Sequence, residues 1–223
     1  MTMRIAGLAS LPERQEYLIH TVNGLLPQID KIYIALNNYS IIPDIFQNNP
    51  KIVCDIHDNS LGDGAKFLHA NIPDVIYFSV DDDILYPIEY CDYMESKANR
   101  YGCIVTLHGR RYDREILRSR KSFTLNYHCL HTYKDDIELH TGGTGVMCFN
   151  TSVFKLDIRR FLRPNMADIW VAQQAHEQKI KIMGVAHANN FLRYQHQEKT
   201  IWNTCTPEQE EYQTAVLKNF LRK

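Results

Sequence analysis

Three consecutive carboxylates, Asp81, Asp82 and Asp83, end the apolar run Val75-Ile76-Tyr77-Phe78-Ser79-Val80, and Pro87 follows just ahead of a helix-like segment. Adjacent aspartates repel one another, so at the end of a core strand they call for a positive partner. The carboxyl ends of parallel strands are where open α/β sheets bind ligands. On an extended chain side chains alternate, which predicts that Asp81 and Asp83 share one face while Asp82 points away. Two carboxylates on one face suit a hard divalent cation, Mn²⁺ or Mg²⁺, which takes one or two protein oxygens and shares the rest of its shell with substrate phosphates. A solvated acidic turn or a helix N-cap is the reading without chemistry.

Other stretches offer less specific chemistry. Asp58 to Lys66 (DNSLGDGAK) carries Gly62 and Gly64, which let a backbone approach a ligand, and Lys66, which suits an anion or a nucleobase. It matches neither the GxxxxGK[ST] phosphate loop nor GxGxxG, and a plain loop explains it equally well. The run from Arg110 to Lys121 holds Arg110, Arg111, Arg114, Arg118, Arg120 and Lys121 without a clear period. It reads as a solvated surface or as a mobile loop over a negatively charged substrate. Gly142-Gly143-Thr144-Gly145 ahead of the strand Val146 to Phe149 predicts close backbone approach, or only a tight bend. Asp168 opens the helical pattern DIWVAQQAHEQK, where N-capping accounts for it without catalysis.

The elements that must position these residues alternate. Met3 to Ala9, Lys31 to Leu36 and Lys51 to Ile56 read as buried strands, followed by the aspartate-bearing strand and by Cys103 to Leu107 and Lys181 to Ala186. Ser10 or a neighbour caps a helix with Pro12 in its first turn and Tyr17, Leu18, Val22, Leu25 and Leu26 on its buried face. A short helix is expected over Phe67 to Asn71, another over Pro87 to Arg100, an antiparallel strand over Phe123 to His131, and an amphipathic helix over Pro207 to Leu221. Such alternation predicts an α/β fold with one Rossmann-like, mostly parallel central sheet flanked by helices, and no linker divides residues 1–223.

The 223 residues are 44% hydrophobic and 23% charged with a formal net charge of −1, which gives no electrostatic case for nucleic acid. No run reaches the length of a membrane span. Six scattered cysteines without a C-x-x-C, and a start that enters a strand pattern directly, predict reduced thiols and a cytoplasmic location.

With SVDDDILYP, LHG, GTG and IWNT in that order, the sequence resembles a small GT-A glycosyltransferase, nearest in pattern to the α-N-acetylglucosaminyltransferase of bacterial heparosan capsule synthesis. Compact GT-A domains that large algal DNA viruses use on their capsids share the pattern, which makes host cytoplasm the second location. The likeness runs from Pro12 and Arg14 through Gly64, Lys66-Phe67, Asp81-Asp82-Asp83, Tyr86-Pro87, His108-Gly109, Gly143-Thr144-Gly145, Asp168 and Leu192-Arg193 to Trp202-Asn203-Thr204. It implies a GT-A fold, a UDP-sugar donor of the UDP-glucose or UDP-N-acetylglucosamine class, a saccharide or glycoprotein-glycan acceptor, and Mn²⁺ or Mg²⁺. By position, Asp83 would ligate the metal, Asp81 would approach the ribose or the metal, and His196 would supply a further ligand. Arg14 and Lys66 would border the uridine, while Gly143, Thr144, Gly145, Trp202 and Asn203 would lie along the donor. Asp168 would be the catalytic carboxylate, and retention of anomeric configuration is favoured. The sequence departs from the capsule enzyme over Arg110 to Leu139 and Arg193 to His196. A metal-dependent nucleotidyltransferase or phosphohydrolase also uses strand-end aspartates, but would carry a glycine-rich basic signature after its first strand, where only Ser10 to Arg14 stands. A carbohydrate-binding module would be all-β.

Overall fold

A computed structural model of the chain describes residues 2–195 and 204–222. Strands β1 (Met3–Ser10), β2 (Lys31–Asn37), β3 (Ile52–His57) and β4 (Val75–Val80) run parallel in the order β3-β2-β1-β4. A ribbon β5 (Ile84–Leu85) follows, then β6 (Ile104–Thr106), β7 (Gly109–Tyr112), β8 (Phe123–Tyr127), β9 (Ile137–Leu139), β10 (Thr141–Gly142), β11 (Val146–Asn150), β12 (Ile182–Gly184) and β13 (Arg193–Tyr194). The main sheet continues β4-β11-β6-β12-β9, with β11 and β9 running against the rest. Strands β10, β7 and β8 form a small antiparallel sheet, and β13 pairs with β5. The mixed α/β architecture with a mostly parallel central sheet is the one the alternating pattern predicts.

Strand β4 is buried along its whole length, and its alternation divides the core. Ile76, Phe78 and Val80 face a layer built by α1 (Gln15–Leu25), through Leu18, Val22 and Leu25, and by α2 (Tyr90–Tyr101), through Cys91 and Met94. Val75 and Tyr77 face the opposite layer, where α3 (Ala167–Glu177) brings Ile169 and Trp170 and α4 (Pro207–Leu221) brings Leu217 and Phe220. Period-two burial on both faces is what a central parallel strand requires. Helix α4 starts on a reciprocal cap: the Gln209 amide donates to Thr206 Oγ1 at 3.3 Å and the Thr206 amide to Gln209 Oε1 at 2.8 Å.

Several local expectations are corrected. Ser10 does not cap α1: a 3₁₀ turn over Pro12–Arg14 precedes that helix, and the Ser10 hydroxyl donates to Asp82 Oδ2 at 2.6 Å. The helical segment expected at Phe67 to Asn71 lies earlier, as a 3₁₀ helix over Gly62–Phe67. The antiparallel strand expected over Phe123 to His131 stops at Tyr127. The basic run is not one loop. Arg110 and Arg111 belong to β7, and its far end is fastened to α4: Ser119 Oγ donates to Glu210 Oε1 at 2.7 Å and Lys121 Nζ pairs with Glu210 Oε2 at 2.6 Å. Leu117 is buried there, while Arg114, Glu115 and Ile116 stay exposed. Among the described residues no helix is long and apolar enough to cross a membrane.

Candidate functional site

β1 sends the chain towards β2 and β3 on one side while β4 lies on the other, so the sheet order reverses between β1 and β4. Ligands of open α/β sheets sit in the crevice at the carboxyl ends of strands flanking such a point. A cleft of about 910 Å³ opens there, reached by Ser10 at the end of β1, Asn37 at the end of β2 and all three aspartates after β4.

The aspartates do not alternate as an extended chain would place them, because β4 ends at Val80 and the chain turns through Asp82 and Asp83. Lys66 forms an ion pair with Asp81 Oδ1. Arg14 Nη2 reaches Asp82 Oδ1 at 2.6 Å and Asp83 Oδ2 at 2.8 Å, so those two carboxylates share one guanidinium. Asp82, expected to point away, is held in the cleft wall by Ser10 and Arg14. Burial pushes its carboxyl up to about 7, with help from Asp83 and Asp81 and against Arg14 and Ser10. Burial followed by the Asp81 charge also raises Asp83. Burial disfavours the Lys66 ammonium, but attraction to Asp81 and Asp63 outweighs it and holds the lysine above its ordinary value.

Tyr86 locks the turn: its hydroxyl accepts from the Asp81 amide at 2.9 Å and donates to the Gly145 carbonyl. Gly143, Thr144 and Gly145 therefore stand behind the cleft and are not part of its lining. Their service is clearance. A Cβ on Gly145 would overlap the Asp81 carboxyl group, and one on Gly143 would stand 2.8 Å from His108 Cβ. The Thr144 carbonyl accepts from buried Ser79 Oγ on β4, which ties the turn to the aspartate strand.

Asp168 is not the cap of α3. The helix begins after Met166, the Asp63 carboxylate accepts from the Ala167 amide at 3.2 Å, and Asp168 Oδ1 accepts from Ile169 at 3.0 Å. Asp168 Oδ2 stands 3.7 Å from Arg110 Nη1 with 28% of its side chain exposed. Arg110 lines the cleft and Asp168 does not, so any influence of Asp168 on a ligand there passes beside or through that arginine. Asp63 does line it; burial, then repulsion from Asp168 and Asp81, pushes its carboxyl up to about 6 against the pull of Lys66. His196, Trp202 and Asn203 lie outside the described residues.

The cleft lining carries five carboxylates (Glu13, Asp63, Asp81, Asp82, Asp83) against three cations (Arg14, Lys66, Arg110), a surplus of two negative charges when all are ionised. Five lining residues also hold a buried polar atom with no hydrogen-bond partner among the described residues: Arg14 Nε, Asn37 Oδ1, Asp63 Oδ1, His108 Nδ1 and Asn126 Oδ1. Buried polar atoms are nearly always paired, so their concentration in one cleft marks a surface built for a polar ligand. Asp83 and Asp81 offer hard oxygen donors in its lining, a donor type that fits Mn²⁺ or Mg²⁺ once Arg14 and Lys66 yield. Sequence reasoning gave no role to Asp63, Asn37, Asn126 or His128, although Asp63 stands inside the glycine-bearing segment Asp58 to Lys66, and His108 stood in LHG without a role. No protein-family model matches the chain, and no curated protein matches it as a relative.

Proposed function

We propose that the chain is a metal-dependent glycosyltransferase of the GT-A type. It would transfer a hexose-type sugar from a UDP-sugar, of the UDP-glucose or UDP-N-acetylglucosamine class, to a saccharide or glycoprotein-glycan acceptor. The observation that carries this reading is the cleft at the β1/β4 reversal, lined by the three strand-end aspartates and holding five carboxylates against three cations. A nucleoside diphosphate is itself an anion, and a cleft with surplus carboxylates repels it unless a divalent cation intervenes. Asp83 and Asp81 would hold that cation, Mn²⁺ or Mg²⁺, which supplies stabilisation of the charge that grows on the departing diphosphate.

The chain's own residues do the rest. Arg14 pairs with Asp83 and Lys66 with Asp81, so a cation taken up there would release Lys66, and would release Arg14 from Asp83 while Asp82 still holds it, towards the anionic oxygens and uridine of the donor. Asn37, at the end of β2, donates through Nδ2 to Asn59 Oδ1 at 3.0 Å and to the Gly62 carbonyl at 3.1 Å, leaving Oδ1 for an N–H donor such as a pyrimidine edge. Of the two roles open to Asp168, a base for the acceptor hydroxyl would need a contact that its place outside the lining does not provide, whereas an anion acting through Arg110 would support a positively charged sugar-like transition state, which suits retention better.

The test is thermal stability with UDP, ADP and GDP, each with and without Mn²⁺, followed by release of UDP from UDP-glucose and UDP-N-acetylglucosamine. A ligand that binds only the folded state stabilises it. A shift with UDP and Mn²⁺, absent with ADP or GDP, is expected. Release of phosphate or pyrophosphate from a nucleotide without sugar transfer would replace this reading with a phosphohydrolase or nucleotidyltransferase.

A further inference from the structure

His108, His128 and Cys129 place one donor atom each within 4.8 Å of one another, beside the aspartates but using none of them. Two nitrogens and a sulfur form a softer donor set than carboxylates. That set selects Zn²⁺ and similar ions over Mg²⁺ or Mn²⁺. Tetrahedral zinc with bonds of about 2.0–2.3 Å holds its ligand atoms about 3.5 Å apart, so atoms up to 4.8 Å apart need to close by at most about 1.3 Å.

The surrounding backbone holds the three residues near that position. His108 follows β6; its carbonyl accepts from the Gly143 amide at 2.7 Å and from Thr106 Oγ1 at 2.9 Å. The His128 amide donates to Tyr133 Oη at 3.0 Å, and the His131 amide donates to the His128 carbonyl at 2.8 Å, which fixes the turn after β8. Cys129 is fully buried, with Sγ 3.4 Å from Tyr194 Oη. His108 Nδ1 is buried with no partner among the described residues, which an unligated imidazole in a packed wall does not explain. The Leu130 amide donates to His128 Nδ1 at 3.2 Å, so ligation through either nitrogen gives up that bond: through Nδ1 directly, and through Nε2 because the ring proton then moves to Nδ1.

We infer that His108, His128 and Cys129 form a second metal site, for a borderline-soft divalent ion of the Zn²⁺ class, with an open coordination position facing the cleft that both histidines line. On binding, the Cys129 S–H bond breaks, its proton passes to solvent, and the sulfur lone pair forms the bond to the metal; no electron changes hands. Three protein ligands with one free position is the arrangement by which zinc sites bind water or substrate.

Cobalt(II) tests the site, because a thiolate bound to it gives a charge-transfer absorption that carboxylate or imidazole ligation does not. Chelator-treated full-length chain titrated with Co²⁺ is expected to show that band at one equivalent, bleached by one equivalent of Zn²⁺. The band should survive Asp83→Asn, disappear in Cys129→Ser, and require at least tenfold more Co²⁺ in His108→Gln. Far-UV circular dichroism checks folding, and His128→Gln replaces Cys129→Ser should the latter not fold. Absence of the band in the wild type, its persistence in Cys129→Ser, or unchanged affinity in both histidine variants would overturn the assignment.

Discussion

Gly145→Ala isolates the seat of Asp81 from every other feature of the site. Gly145 is not among the residues at positive φ, so alanine meets no backbone penalty there, and the whole effect comes from space. The added Cβ would overlap the Asp81 carboxyl group and stand 3.1 Å from Asp81 Cβ. The carboxylate must therefore swing away by an ångström or more, and it leaves Lys66, whose side chain is only 4% exposed. Breaking a buried pair costs about 3–5 kcal/mol when one charge is left uncompensated. Asp81 is itself 39% exposed and Lys66 keeps attraction from Asp63, so about 2 kcal/mol is the reasoned loss. For a chain of this length that corresponds to a fall in Tm of roughly 4–8 °C. Mn²⁺-dependent UDP affinity, measured by calorimetry, should drop at least tenfold. Gly102→Ala is the control: its φ of 56° makes alanine unfavourable, but nothing lies within 4 Å of the added atom. It should lose about 1 kcal/mol and leave UDP binding untouched. Wild-type Tm and wild-type UDP affinity in Gly145→Ala would refute the role given to this glycine.

Three further outcomes follow from the same geometry. Arg14→Met leaves Asp82 and Asp83, 4% and 13% exposed, facing each other without their cation; a loss on the order of 10 °C in Tm is expected, partly restored by Mn²⁺, and an equal Mn²⁺ response in wild type and variant counts against the shared-guanidinium account. Burial pushes the Asp63 carboxyl up to about 6, above its unfolded value, so its ionised form is the costly one and its contribution to stability falls as pH rises from about 4 towards 6. Asp63→Asn does not titrate, so its stability relative to wild type should rise by on the order of 1–2 kcal/mol across that window in urea unfolding, and a constant difference defeats the claim. Since Asp168 does not cap α3, Asp168→Asn should melt normally and bind UDP normally while sugar transfer falls by roughly 10²-fold; full transfer activity removes it from the chemistry.

The sheet and its strand-end aspartates were legible because their signals are local. Six buried residues in a row mark β4 and Asp81 to Asp83 mark its end, just as Thr206, Pro207 and Gln209 mark the start of α4. The partners of those aspartates were not legible, because Ser10 lies 72 positions from Asp82 and Lys66 lies 15 from Asp81. No spacing rule spans such distances; the parallel register of β1 with β4 brings Ser10 to Asp82, and the 3₁₀ helix Gly62–Phe67 brings Lys66 to Asp81. The N-cap expected of Asp168 fails for the same reason, since Asp63 supplies it from 104 positions away. Alternation failed at Asp82 because it holds only while the strand lasts, and β4 stops at Val80.

The central claim is that a cation held by Asp83 and Asp81 is what lets this carboxylate-rich cleft accept a nucleoside diphosphate. Calorimetric titration of UDP into the wild type and Asp83→Ala, each with and without Mn²⁺, tests it most directly. UDP should bind the wild type with Mn²⁺, bind at least tenfold more weakly without it, and bind the folded Asp83→Ala chain with the same weak affinity whether or not Mn²⁺ is present. Equal UDP affinity in all four titrations would contradict the claim.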